Sequence, residues 1–175
     1  MKMIRKLSCV AAFVSVFAAG TANATLLDLT TFTAGGWGGV STSTNYATLT
    51  ADSSLGSAVS GVTSFDWFFQ ANDYMPFNDY GYMTDGNFYL LSDIATVGDY
   101  ANSGWNTYTF GSAYTGYLEF GVNNVLDTSL SSQLHISNVS AVPEPETYAM
   151  LLAGLGLVGW MARRRKSNDS FQAFA

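Results

Sequence analysis

Three segments of the sequence are rich in side-chain oxygens, which are the atoms that bind hard metal ions. They span residues 72–79, 93–102 and 123–128 and are richer in Asp and Asn than a turn requires. Calcium takes roughly six to eight oxygen ligands from carboxylates, amides and carbonyls, so these segments indicate a structural calcium site. The expected ligands are Asp73, Asn78, Asp79 and Asp127. No EF-hand spacing is present, and Asn and Asp also form turns through their own hydrogen bonds, so ordinary turns are the alternative.

Catalytic residue types are scarce between the two ends of the chain. The one cysteine, Cys9, lies near the N-terminus, and His135 is the single histidine. A Ser-His-Asp triad would have to use His135, which falls on a predicted strand and is expected to face solvent, and no Gly-x-Ser-x-Gly motif is present. A glycosidase needs two positioned carboxylates in a cleft, which a domain this small rarely builds. The sequence therefore predicts a protein that is not an enzyme, and a hydrolase is the less favoured alternative.

Charge is divided sharply between the ends and the middle of the chain. All seven Lys and Arg lie within residues 1–6 or 163–166, whereas most of the thirteen Asp and Glu lie between these segments. Nucleic acid binding is excluded, because nothing in the middle could neutralise phosphates, and an anionic substrate is disfavoured for the same reason. Any buried carboxylate must be satisfied by hydroxyls, amides or a metal ion.

The middle of the chain reads as one all-β domain over residues 25–141. β-branched and aromatic residues recur in short runs between turn residues. Strands are predicted over residues 25–33, 46–51, 62–70, 87–91, 105–110, 117–122 and 133–139. In the third, Phe65, Trp67 and Phe69 share one face while Phe68 lies on the other, so we expect a central strand. In the sixth, Leu118 and its alternate neighbours should point inward. The strand count predicts a β-sandwich or jelly roll.

The N-terminus reads as a secretory signal peptide over residues 1–24, which is expected to form a signal helix flanking the β-domain. A cationic start is followed by an apolar run at residues 7–19 and by the small-x-small site Ala22-Asn23-Ala24. Cleavage there would leave Thr25 as the first residue and remove Cys9. An uncleaved signal anchor is the alternative. The expected export is through the Sec machinery.

The C-terminus has a three-part layout over residues 142–166. Val142-Pro143-Glu144-Pro145 is held extended by its two prolines. An uncharged run of about 15 residues at 148–162 follows, near the lower limit for a bilayer span. The cationic stop consists of Arg163, Arg164, Arg165 and Lys166. This layout predicts a transmembrane helix held by its cations, with residues 167–175 as a cytoplasmic tail. A buried core helix is the alternative.

At these residues the chain resembles the PEP-CTERM sorting signal of Gram-negative bacteria. The resemblance rests on the Val142-to-Glu146 motif, the Gly-rich apolar run ending in Gly159-Trp160, and the basic cluster. It implies processing by an exosortase-type membrane protease, with the inner membrane as a transient station of the precursor. The extension beyond Lys166 departs from the usual pattern, since such tails stop soon after the basic cluster. The resemblance covers the last part of the chain and implies routing, not activity.

The middle domain also resembles the cargo domains of other exported proteins with this tail. The resemblance rests on the aromatic strand at 65–69 and on segments 72–79, 95–99, 103–105 and 120–128. The closing segment 134–139 is similar to the last strand of galactose-binding-like jelly rolls. These resemblances imply a β-sandwich of the kind found in glycan-binding modules.

The sequence thus predicts an exported, non-catalytic protein of the cell surface or extracellular matrix, associated with exopolysaccharide or biofilm. A carbohydrate-binding module is the alternative, and an extracellular polysaccharide would then be its partner. Exposed aromatics in a groove would favour it, because rings stack on sugar faces. The candidates are Trp37, Tyr74, Phe77 and Tyr80.

Overall fold

The computed structural model describes residues 23–143 and 145–169, with the backbone alone described at 145–148 and 162–169. Within this part of the chain, nine strands and two α-helices form, together with a 3-10 turn at Leu29–Thr31. The elements are β1 (Thr25–Leu26), β2 (Thr33–Gly36), β3 (Gly39–Ser43), β4 (Tyr46–Thr50), β5 (Ser53–Gln70), β6 (Tyr80–Thr84), β7 (Phe88–Asp93), α1 (Ile94–Val97), β8 (Asn106–Asn123), β9 (Gln133–Ala141) and α2 (Pro145–Asp169). The prediction of an all-β domain is confirmed.

The strands form one antiparallel sheet around two long members, β5 and β8. The strand order is β3-β4-β9-β5-β8-β6-β7, with β1 beside β9 and β2 beside β5. Strands β5 and β8 pair from Ser53↔Val122 to Trp67↔Asn106. Their register shifts between Val59 and Ser64, where bulges bend the pair. The first half of β5 therefore pairs with β2, and the second half pairs with β9.

The sheet is curved so strongly that distant strands pack against each other across its inner face. A Cβ on Gly81 of β6 would lie 3.0 Å from Leu134 Cδ1 on β9 and 3.2 Å from Phe69 Cδ2 on β5. Strands β6 and β9 stand three positions apart in the sheet, which is roughly 14 Å in a flat sheet at about 4.8 Å per strand. Gly81 can lie this close to Leu134 only because the sheet folds over on itself. The result is a two-layered, sandwich-like arrangement within one continuous sheet, and the finer jelly-roll assignment stays a prediction.

Phe65 lies at the centre of the core. Its ring is fully buried and meets the Phe120 ring edge-on at 4.8 Å between centroids, with Tyr108 stacked at 5.2 Å. The alternation predicted for β8 is confirmed, since Leu118 and Phe120 are buried whereas Tyr117 is exposed. Side chains of one strand thus divide between the core and an outer face, and the outer face is free to carry a site.

Several predicted strand bounds were wrong. The predicted strand 25–33 contains only the short strand β1 and the first residue of β2, because the 3-10 turn lies between them. Asp28 caps that turn by accepting a hydrogen bond from the Thr30 N–H at 2.9 Å. The segments 105–110 and 117–122 are parts of the single strand β8, because Gly111 and Gly116 lie inside a bent strand rather than at a turn. Strands β3 and β6 were not predicted.

The predicted C-terminal transmembrane helix is not supported. Helix α2 does form and begins at Pro145, where the missing N–H of proline costs no hydrogen bond. Nothing among residues 23–143 and 145–169 is a helix both long and apolar enough to cross a membrane. The physical reason is that the uncharged run of about 15 residues falls short of a typical span and shares its helix with the basic cluster. The predicted signal helix, Ala22 and Glu144 lie outside the described residues.

Candidate functional site

The outer face of β4, β9 and β5 carries four rings that form a continuous strip. On β9, Leu134 and Ile136 are fully buried and the residue between them, His135, faces outward. Phe68 on β5 pairs with His135 in register, and its neighbour Phe69 is buried. The same alternation places Tyr46 of β4 outward, and Trp105 lies immediately before β8. We call Tyr46, Phe68, Trp105 and His135 the ring strip.

The rings of this strip touch one another in a chain. Tyr46 is stacked on His135 at 5.8 Å between centroids, and Phe68 lies 5.4 Å from His135. Trp105 closes the group at 5.6 Å from Phe68 and 6.3 Å from Tyr46. Trp105 keeps 54% of its surface exposed and Tyr46 keeps 37%. The strip is therefore held in place by its own contacts while presenting ring surface to solvent.

His135 joins the rings to two hydroxyl groups. Its Nδ1 lies 2.8 Å from Tyr46 Oη and 3.0 Å from Thr48 Oγ1. Partial burial lowers the pKa of the His135 imidazole below its usual value, so the ring is neutral at pH 7. The prediction of a solvent-facing strand residue is confirmed, although the side chain is half-buried by its neighbours.

Polar groups continue this face two residues along each strand. The carboxylate of Asp66 accepts a hydrogen bond from Thr107 Oγ1 at 2.6 Å and another from Asn138 Nδ2 at 2.8 Å. Asp66 stands two residues from Phe68, and Thr107 stands two residues from Trp105, so both lie on the outer face. The ring strip is thus bordered by hydroxyl, amide and carboxylate groups that can exchange hydrogen bonds with a ligand.

The aromatics predicted for glycan binding lie elsewhere and do not form one groove. Trp37 stands in the turn between β2 and β3 with 99% of its surface exposed. Tyr74 and Phe77 pack against each other at 5.4 Å in the loop after β5. Tyr80 belongs to a second ring group on β6 and β7, in which Tyr82 stacks on Phe88 at 5.3 Å. We call Tyr80, Tyr82 and Phe88 the hairpin cluster.

The predicted calcium ligands are dispersed, and Asp79 holds a central position. It is fully buried, and its carboxylate accepts hydrogen bonds from Val125 N at 2.9 Å and from Ser132 Oγ at 2.7 Å. Burial raises the pKa of the Asp79 carboxyl. The hydrogen bonds from Ser132 and Val125 oppose that rise, and the negative charge of Asp73 adds to it. Asp79 therefore joins the loop 72–79 to the loop 124–132. It is also repelled by the buried carboxylate of Asp73.

Asp73 is buried as completely as Asp79 but is less well satisfied. Its Oδ1 accepts a hydrogen bond from Tyr74 N at 2.8 Å, whereas its Oδ2 is buried without a hydrogen-bond partner. Asn124 Oδ1 is a second buried oxygen without a partner. Buried acceptors of this kind are rare because each loses its hydration without replacement.

The side chains of the other two predicted ligands are engaged in hydrogen bonds elsewhere. Asn78 accepts a hydrogen bond from Ala95 N at 2.8 Å and donates one to Asp93 at 3.0 Å, which fastens the loop to α1. Asp127 accepts from Ser129 N at 3.0 Å in an Asx turn. Within residues 23–143 and 145–169, no three Asp, Glu, His or Cys side chains are grouped so that they could hold a metal ion. The four-residue calcium set stays a prediction that the structure does not assemble.

The first residues of the sorting segment are attached to the domain. Val142 follows β9 directly, donates its N–H to Gly61 O at 2.8 Å and is half-buried, as is Pro143. Beyond Glu144, the chain enters α2. The assignments of Val142, Pro143, Glu144 and Pro145 as a cleavage motif, and of the cluster 163–166 as a membrane stop, stay predictions, as do Ala22 and Ala24 as signal cleavage residues.

The ring strip is the feature that sequence reasoning missed. The observation that both faces of the segment 62–70 carry aromatics could have indicated it, because an outward Phe on a central strand needs neighbours. Tyr46, Trp105 and His135 come from distant parts of the sequence, however, and only strand order brings them together.

Comparison with known proteins identifies the sorting tail. A solved structure titled as the N-terminal cellulose-binding domain of Cellulomonas fimi beta-1,4-glucanase C is similar at 12% identity, covering 65% of this chain and 89% of that one, with a TM-score of 0.30. At this TM-score the similarity carries no weight for fold or function. No curated protein matches the sequence. Residues 141–166 match the PEP-CTERM protein-sorting motif, so the chain carries the sorting signal that its sequence predicts.

Proposed function

We propose that this is an exported, non-catalytic protein of the cell surface or extracellular matrix whose β-domain binds a neutral polysaccharide along the ring strip. The sorting motif at 141–166 implies export, and we propose Sec translocation followed by cleavage by an exosortase-type protease. The observation that carries the binding function is the contiguous set of Tyr46, Phe68, Trp105 and His135 on an outer sheet face.

The chemistry of the strip fits sugars better than proteins or anions. Planar rings offer an apolar face to the C–H groups of a pyranose, and the hydroxyls near His135 and the group around Asp66 can bond sugar hydroxyls. Because the domain has no Lys or Arg, nothing there would attract a polyanion. An open face rather than a deep pocket suits a long polymer that can pass across several strands.

A structural matrix protein without a specific ligand is the second candidate. Its support is the acidic composition of the chain, with a net charge of −6, which favours a soluble and non-adhesive surface. In this case the ring strip would serve the packing of β4, β9 and β5. The two candidates differ in whether removal of an exposed ring changes binding.

Affinity gel electrophoresis tests the binding function. The purified full-length protein is run in gels containing hydroxyethylcellulose, xylan or galactomannan, with alginate as the anionic polymer. We expect retardation by at least one neutral polymer and none by alginate. Trp105→Ala should weaken that retardation about tenfold or more, since aromatic anchors dominate such interfaces, whereas Phe88→Ala in the hairpin cluster should leave it unchanged. Equal retardation of both variants, or none with any polymer, would reject the ring strip as a glycan site.

Intact-mass spectrometry tests the routing. In a host that carries an exosortase, the exported form should begin at Thr25 and end at or near Pro145. An exported form that still carries Trp160 and Arg163 would contradict processing. Neutralising Arg163, Arg164, Arg165 and Lys166 together should misroute the precursor, and unchanged processing of that variant would remove their proposed role as a stop.

A further inference from the structure

We propose that the junction of the loops 72–79 and 124–132 is a calcium site built on Asp73 and Asp79, with the side-chain oxygen of Asn124 as a further ligand. This set differs from the one that the sequence predicts. It omits Asn78, whose side chain bonds Asp93 and Ala95, and Asp127, whose side chain forms a local turn. It is independent of the proposed glycan binding.

The first argument is the identity of the buried groups that lack a partner. Asp73 Oδ2 and Asn124 Oδ1 are both oxygens and both acceptors, and each is shielded from solvent. Asp73 has none of its surface exposed. A bound cation satisfies both oxygens at once, and carboxylate and amide oxygens are ligands that calcium prefers.

The second argument is that these residues converge on the same junction. Asp79 accepts from Val125 N, next to Asn124, and both Asp79 and Asn72 hydrogen-bond Ser132. Further along, the Asn72 side chain donates to Ser131 O at 2.9 Å and the Asn124 side chain donates to Ser131 Oγ at 3.4 Å. The residues next to Asp73 and the side chain of Asn124 thus meet at Ser131 and Ser132, and this shared junction is where we propose the ion to bind.

The third argument is charge. The negative charge of Asp73 acts on Asp79, and the domain has no Lys or Arg to offset two buried carboxylates. A divalent cation bound between the two carboxylates would offset both negative charges. Two carboxylates with one amide leave the rest of the calcium shell to backbone carbonyls and water, which is common for this ion.

Thermal unfolding of the full-length protein in CaCl2 and in EGTA, at constant ionic strength and pH 7.5, tests the site. At a free calcium concentration one hundred times the dissociation constant, we expect a melting temperature roughly 10 °C higher than in EGTA. Asp73→Asn should abolish the difference, because it replaces a charged ligand with an isosteric neutral one. Asp127→Asn is the matched control and should keep the full difference. Equal melting temperatures of the unmodified protein in the two buffers would overturn the proposal, as would a difference that persists in Asp73→Asn or disappears in Asp127→Asn.

Terbium luminescence gives a second readout if Asp73→Asn does not fold. Tb3+ occupies calcium sites, and Tyr74, beside Asp73, can sensitise its emission. The unmodified protein should show sensitised emission that calcium displaces and that magnesium at the same concentration leaves in place. No sensitised emission, or emission displaced equally by magnesium, would reject a calcium site here.

Discussion

The ring strip and the hairpin cluster are both groups of aromatic side chains on an outer sheet face, yet their surroundings differ. In the hairpin cluster, the Tyr82 ring lies over Gly121 of β8, so closely that a Cβ there would be 2.1 Å from Tyr82 Cζ. Tyr82 Oη donates to Glu119 at 3.4 Å on the same strand. In the ring strip, the rings lean on one another and Trp105 stands outside β8 with half its surface free.

The rings of the hairpin cluster therefore cover the backbone of the sheet, whereas the rings of the ring strip contact one another and face solvent. A ring seated over a glycine fills a space that the backbone leaves open, and its removal exposes the strand pair below. A ring that contacts mainly other rings can be removed at small cost to the fold. The same residue types therefore have different expected roles, and mutations that affect stability and binding separately test those roles.

The largest stability effect should come from Gly121→Ala. The new methyl group would meet the Tyr82 ring and its Oη, at 2.1 Å and 2.3 Å from Cβ, in a buried strand position. Overpacking of this kind costs typically about 1–3 kcal/mol, and urea unfolding would measure it. Gly111→Ala on the same strand is the control, since nothing lies within 4 Å of its added Cβ. Adding Tyr82→Ala to Gly121→Ala should recover part of the loss, and failure to do so would show that the ring is not what fills this space.

Alkaline titration should detect Tyr82, the tyrosine of the hairpin cluster that lies over Gly121. Burial, followed by the negative charge of Glu119, raises the pKa of Tyr82 to about 12. Because the folded-state pKa lies above the unfolded value near 10, the stabilisation is complete below pH 10 and is lost as the pH rises towards 12. Absorbance at 295 nm should show a late ionisation step that Tyr82→Phe removes. If Tyr82→Phe leaves the late step intact, another tyrosine is responsible for it.

A smaller effect on stability is expected for Trp105→Ala. Trp105 lies outside the strand, half-exposed, and contacts mainly Phe68 and Tyr46, so its truncation should lower the free energy of unfolding by about 0.5 kcal/mol, in the range of surface substitutions. Urea unfolding beside the binding gels checks whether stability and binding separate. A loss above about 2 kcal/mol would mean that the ring supports the fold, and the comparison between the two ring groups would fail.

The sequence predicted those features that depend on residue type within one strand. Alternation placed Phe65 and Phe69 on the same face and β5 at the centre of the sheet, and both predictions are confirmed. The sorting motif was also readable, because its three parts are contiguous in the chain. In these cases the physical information is local, so no tertiary contact was needed.

Features that depend on strand order were not predictable. Strand β8 was divided in two because its glycines read as turn residues, although Gly116 only makes room for the Tyr114 hydroxyl, which would lie 2.4 Å from an added Cβ. The ring strip joins Tyr46 to His135 across 89 residues. The candidate calcium ligands were selected by residue type, which cannot distinguish the buried Asp79 from Asp127 in its local turn.

The smallest effect should be the acid sensitivity that His135 contributes to the ring strip. Burial lowers the pKa of this imidazole below its usual value near 6.5. Because the pKa is lower in the folded state, the neutral ring contributes its full stabilisation above about pH 6.5. This stabilisation is lost as the pH falls through the folded-state pKa. Asp79 acts in the opposite direction, since its raised pKa makes stability fall as the pH rises through that value. A loss of stability just below pH 6.5 can therefore be attributed to His135, the single histidine of the chain.

Melting temperatures measured from pH 5 to 8 should show this loss in the unmodified protein and not in His135→Gln. The reason lies in the contacts of Nδ1. A neutral ring protonated at Nε2 accepts hydrogen bonds from Tyr46 Oη and Thr48 Oγ1, whereas a protonated ring must donate at Nδ1 and forces both hydroxyls to reorient. Because Tyr46 is part of the strip, polysaccharide retardation should weaken over the same pH range as stability. If the melting temperatures of the two proteins depend on pH in the same way, the pKa of His135 does not change on folding. The ring strip would then be insensitive to pH.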